Sequence, residues 1–157
     1  MTEQFQPHGI YRITSLDEND NIIGEQVFKN LLTQKFFTAV LKYLDYTNQT
    51  PAATTLDVNY LAVGDGATAA TISDTVLNNE TYRSTFASKA ITISQLTGKL
   101  FIPAGSANPS GGTLKEIGVF VGGTSSADSG ELMSRAVINV IKNENVKLLI
   151  NWYFKVS

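Results

Sequence analysis

The chain has 157 residues, 43% of them apolar and 17% charged, with a formal net charge of −2. That length fits one domain, which buries about 70% of its unfolded surface and so folds without staples. The 12 basic residues are scattered, so the basic stripe that a phosphate backbone requires is missing and nucleic-acid binding is not expected. The absence of cysteine excludes a disulfide framework and thiolate chemistry. Met1–His8 carries no basic start followed by an apolar run, so no secretory leader is expected. No apolar run reaches the ~20 residues of a membrane span. The charge content lies below the usual ~25%, which suits a protein that covers much of its surface with partner subunits and equally a neutral, Thr/Ser/Asn-rich β protein.

One domain is expected over residues 1–157, with a flexible arm at residues 1–8. Ile10–Leu16 reads as a strand. Asp17–Asn21 is a turn, because short polar side chains bond their own backbone there. Ile22–Phe28 returns as the second arm of a hairpin, with Gly24 marking a bulge or an edge.

The one predicted helix covers residues 30–46. Leu32, Phe36, Val40 and Leu44 recur at a spacing of four, and Phe37 and Leu41 widen that stripe to a core-facing breadth. Asn30 is the expected N-cap. Asn48–Pro51 supplies the stop.

A Thr/Ala linker then leads to a strand at Val58–Val63. Gly64-Asp65-Gly66 breaks it and opens a long loop of Ala and Thr. Arg83–Ile93 and Lys99–Ile102 are expected to pair as a hairpin turning at Gln95–Gly98. Pro103–Gly112 and Gly122–Gly130 read as loops. Thr113–Val121 and Glu131–Ile141 read as strands, with a turn at Lys142–Asn145. In Val146–Val156 an apolar row (Val146, Leu148, Ile150, Trp152, Phe154, Val156) alternates with a second row that is mostly polar, the period of a strand buried on one face. These elements predict a mainly β fold: an antiparallel β-sandwich, or a flattened barrel, of seven to nine strands with one helix.

Catalytic chemistry finds little support. His8, the single histidine, is expected in the arm, a context that argues against the packed, oriented site a catalytic base needs. One histidine and no cysteine do not make a zinc site. Asp17-x-Asn19-x-Asn21 starts like a calcium loop, but the pattern then needs glycine and glutamate where Ile22 and Phe28 stand. Gly64-Asp65-Gly66 lacks the third glycine of a dinucleotide fingerprint, because Ala69 occupies that place. No catalytic, cofactor-binding or metal-ligating residue is therefore assigned, and no cofactor is expected. Asp57, Asp65, Asp74, Glu80, Glu116, Asp128 and Glu131 could hide a hydrolase pair, but scattered solvated acids are the default. Asn48-Gln49-Thr50 and Asn79-Glu80-Thr81 match the glycosylation sequon and read as chance matches. Trp152 is expected in the core, and Tyr82 and Tyr153 are the aromatics best placed to stack on a sugar.

Five stretches in order carry a resemblance. They are Asn30-Leu31-Leu32-Thr33, then Tyr60–Gly66, then Ser73–Glu80 leading to Arg83, then Lys115-Glu116-Ile117-Gly118-Val119-Phe120, and then Gly130-Glu131-Leu132-Met133-Ser134-Arg135-Ala136. Together with the closing alternating strand, the chain resembles small tailed-bacteriophage virion proteins of the tail-fibre and baseplate type. Val119 stands where that pattern has Leu, and Ser134 where it has Ala. The resemblance implies a structural virion component, made in the bacterial host cytoplasm, that assembles with itself and with neighbouring tail, baseplate or neck proteins. It implies no catalytic residue. A module of the same tail apparatus that binds a host-surface glycan or receptor is the alternative.

Overall fold

The computed structural model describes residues 7–45 and 56–156. The arm up to residue 6, the expected helix stop at 46–51 and most of the linker lie outside them. Ten strands and one helix follow in order: β1 His8–Leu16, β2 Ile22–Lys29, β3 Leu31–Leu32, α1 Gln34–Leu44, β4 Val58–Gly64, β5 Glu80–Thr85, β6 Ser88–Ile91, β7 Gln95–Ile102, β8 Thr113–Val121, β9 Glu131–Ile141 and β10 Lys147–Lys155. They form two five-stranded sheets, ordered β2-β1-β10-β7-β6 (sheet A) and β3-β9-β8-β4-β5 (sheet B). Every pairing is antiparallel. The architecture is a sandwich, not a closed barrel.

The alternating row of β10 sets the core. Leu148, Ile150 and Trp152 are fully buried and pack with Tyr11 and Ile13 of β1 and with the inner faces of β4, β8 and β9. Burying each such side chain contributes roughly 1.5–3 kcal/mol. Trp152 lies between Phe86 and Phe154, at centroid distances of 5.8 and 6.3 Å. A Cβ at Gly98, opposite Trp152, would meet the Phe86 ring at 2.6 Å, so the glycine makes room for that stack.

Several expectations need correction. His8 does not belong to an arm: it opens β1, opposite Lys155. Residues 83–93 are not one strand. The chain passes from sheet B to sheet A between β5 and β6, and the β6–β7 turn lies at residues 92–94 rather than at Gln95–Gly98. That split, with the two-residue β3, brings the strand count to ten rather than seven to nine.

The helix differs most. Its N-cap is Thr33, whose hydroxyl accepts from the Phe36 amide and donates to the Leu132 carbonyl. Asn30 instead packs into the space left by Gly9. Leu32 lies in β3, and of the stripe it and Phe36 pack on the main core. Phe37, Leu41 and Leu44 are 44, 67 and 73% exposed. Apolar periodicity reports a face that favours cover; it does not say that the same chain supplies it.

Candidate functional site

The outer face of sheet B carries the densest polar chemistry in the described structure. A bulge in β9 creates it. Val119 pairs with Ser134 and Phe120 with Leu132, so Met133 has no partner on β8. Met133 and Ser134 therefore both face inward, Met133 into the core and Ser134 with its hydroxyl 2.8 Å from the Tyr11 hydroxyl. Arg135 is turned outward, as bulges commonly re-aim the next side chain.

There Arg135 meets Glu116 of β8. Its Nη2 lies 2.8 Å from Glu116 Oε2, with side chains 2 and 0% exposed, and its Nε donates to the same oxygen at 3.0 Å. Nη1 donates to Asp74 at 2.7 Å and to the Ala69 carbonyl, and Nη2 to the Thr68 carbonyl and hydroxyl. Glu116 also accepts from the backbone amides of Asn78 at 2.8 Å and Asn79 at 2.6 Å. One buried ion pair thus grips both ends of the loop between β4 and β5. Partial burial alone would raise the Asp74 pKa. Hydrogen bonds from the Thr71 amide and hydroxyl and from Arg135, with the guanidinium charge, outweigh it and hold the carboxyl below its ordinary value.

The glycines give the loop its close approach. A Cβ at Gly64 would fall on the Asn79 carbonyl, and one at Gly66 on Glu116 and Asn78. Neither has a positive φ; their role is space, not a left-handed turn. Leu77 inserts over Gly118, where a Cβ would meet it at 2.8 Å, and completes a small apolar cluster with Ala62, Phe120 and Leu132.

A second clamp holds the β8–β9 loop. Arg83 binds Glu80 through Nε at 2.5 Å and Nη2 at 2.7 Å, with side chains 4 and 3% exposed. Its Nη1 donates to the Thr124 and Ser129 carbonyls, and its guanidinium lies 4.5 Å from the Phe120 ring centroid. Asn59, the unpaired residue of a bulge in β4, bonds both backbone groups of Gly123. A third anchor, the buried Lys142, donates to the Ala104 and Asn143 carbonyls and to Asn108. Desolvation lowers its pKa.

The carboxylates singled out in the sequence are brought together only in part. Asp74 and Glu116 share Arg135, Glu80 holds Arg83, Asp57 pairs with Lys89, and Glu131 with Lys35. A general acid must reach substrate with a movable proton. Glu116 is instead enclosed and accepts from two amides and a guanidinium. Beside it, Thr68, Ser73, Asp74, Asn78 and Arg135 line an open depression of about 330 Å³. Asp17 accepts from the Asn19 and Asn21 amides and the Asn21 side chain, while the Lys147 ammonium sits on Asp20 and the Glu18 carbonyl. The calcium-like spacing is a hairpin turn. Tyr82 packs against the main core and Tyr153 is half-buried, so both stacking candidates are only partly exposed. Arg135 and Lys142 had one signal in the sequence, a cation within or beside an apolar strand, but spacing alone could not name their partners.

Comparison with family models, with curated proteins and with solved structures finds no match to this chain.

Proposed function

We propose that this chain is a structural subunit of a tailed-phage virion, in its tail, baseplate, neck or fibre-associated parts, and that it acts by protein–protein assembly. One observation carries the reading. The residues of the resembling stretches, far apart in sequence, meet on one sheet face: Gly64, Gly66, Asp74, Leu77, Glu116, Gly118 and Arg135. Their shared task is to fix a long loop on a rigid frame. Loops held in this way present a constant surface to a neighbour at little ordering cost on binding.

The β4–β5 loop is the proposed contact. Ile72 and Val76 on it are 51 and 38% exposed. The test replaces Thr68–Ser73 with a Gly/Ser linker and follows incorporation into particles. Folding is expected to survive, because Asp74, Glu116 and Arg135 remain, while incorporation falls. Undiminished incorporation would overturn the role of this loop.

A further inference from the structure

Sheet A ends in a long open strand. β2 is the outermost strand on its side of the sheet, and at eight residues it is the longest edge strand among the described residues; the other edges, β3, β5 and β6, have two, six and four. Ile22, Ile23 and Val27 on it are 70, 57 and 53% exposed. A long exposed apolar edge is a template for another strand.

The side chains of β2 say which strand. Tyr11 and Ile13 of β1 face the core and stand opposite Phe28 and Gln26, so those two point inward. Glu25, Val27 and Lys29 then share the solvent face, with Val27 opposite the exposed Arg12. The opposite charges sit two residues either side of Val27. An antiparallel pairing of β2 with a second copy, about a twofold axis perpendicular to the sheet, keeps both inner faces on the same side. Its centre must then fall on a residue. Centred on Val27, it places Val27 against Val27 and Glu25 against Lys29 at both ends of the ladder. Centred on Glu25, it sets glutamate against glutamate, which is destabilising. Antiparallel ladders alternate two kinds of pair, so a Val27 centre works whichever way its amide points.

We propose that β2 is a self-pairing edge, joining two copies of this chain through residues 25–29 in the register centred on Val27, into one continuous ten-stranded sheet. The inference rests on the assembly reading and names its partner, a second copy. The bulge at Ile23, which has no partner on β1, closes the ladder at one end, and the passage into β3 closes it at the other. Five residues a side bury less than the ~1,000 Å² of a stable complex, so the dimer is weak and depends on concentration.

The experiment measures sedimentation of the full chain over a concentration series for the unaltered protein, Glu25→Lys, Lys29→Glu and the double swap. Each single reversal sets like charges opposite each other at both ends and is expected to weaken association about tenfold. The double swap restores it. Glu25 gives up only a 3.5 Å contact from the Thr14 hydroxyl, and unfolding midpoints of the four proteins check that folding is kept. Hydrogen exchange on the unaltered protein gives a readout without any variant: amides of residues 25–29 gain protection as concentration rises. Single reversals without effect, or a double swap that fails to rescue, overturn this edge and leave the assembly reading standing. A protein monomeric at every concentration, with no added protection, also overturns it, and the assembly reading then rests on particle incorporation alone.

Discussion

Arg135 and Glu116 approach to 2.8 Å on the outer face of sheet B, yet both side chains are buried, because the loop from Gly64 to Glu80 closes over them. Two charges taken out of water hold a loop only if every lone pair and N–H finds a partner. Here Glu116 receives two amides and the guanidinium, and Arg135 spends its remaining donors on Asp74, Thr68 and Ala69.

Removing one member leaves the other buried and unpaired. Arg135→Leu and Glu116→Leu are each expected to cost about 3–5 kcal/mol in denaturant unfolding. Arg135→Lys should recover little, because an ammonium cannot serve Glu116, Asp74 and two carbonyls with one planar fork. Early proteolytic cleavage within residues 64–80 is the accompanying sign.

The glycines give a graded test of space. Gly118→Ala presses a methyl against Leu77 and Leu132 at 2.8–3.0 Å and should cost about 1–3 kcal/mol. Gly64→Ala meets a backbone carbonyl, which no rotamer relieves, and should cost more. Gly24→Ala meets nothing within 4 Å and should stay within about 0.5 kcal/mol of the unaltered protein. Thermal or denaturant unfolding of the three decides the order.

Acid should release the loop before it unfolds the sandwich. The Asp74 pKa is lower in the folded protein than in the unfolded chain. Its stabilisation is therefore complete above the ordinary carboxylate value of about 3.9 and is lost as pH falls through the lowered folded value. Hydrogen exchange at residues 68–79 should rise over that interval, and Asp74→Asn should remove the dependence.

Alkali acts on the seam between the sheets. Tyr11 is fully buried, and burial pushes its hydroxyl pKa up despite the bond to Ser134. Folding thus favours the protonated phenol. That stability is intact below the unfolded value of about 10 and declines as pH rises above it. Tyr11→Phe should lose about 0.5–1.5 kcal/mol at neutral pH and flatten the alkaline decline, as unfolding followed from pH 8 to 11 would reveal.

Much of the frame was legible in the sequence. The bounds of β8 and β9 follow from the turn chemistry that flanks them, and the inner row of β10 follows from its alternation, because the chain itself seals the inner face of that strand. The helix stripe misled, since Phe37, Leu41 and Leu44 have the period of a buried face without being covered. The clamp could not be read. The Met133 bulge, which puts Arg135 beside Glu116, changes the alternation of β9 by one residue and leaves no mark in composition. Glu116 and Asp74 are 42 positions apart, and only the folded sheet brings them to one guanidinium.

The proposal that this chain is a virion subunit meets its most direct test in a cryo-EM map of the tailed particles proposed to carry it. The account predicts density for the sandwich in the tail, baseplate or neck, with residues 64–80 against a neighbouring subunit. Particles that lack the chain altogether, or that carry it with this loop facing solvent on every side, would contradict it.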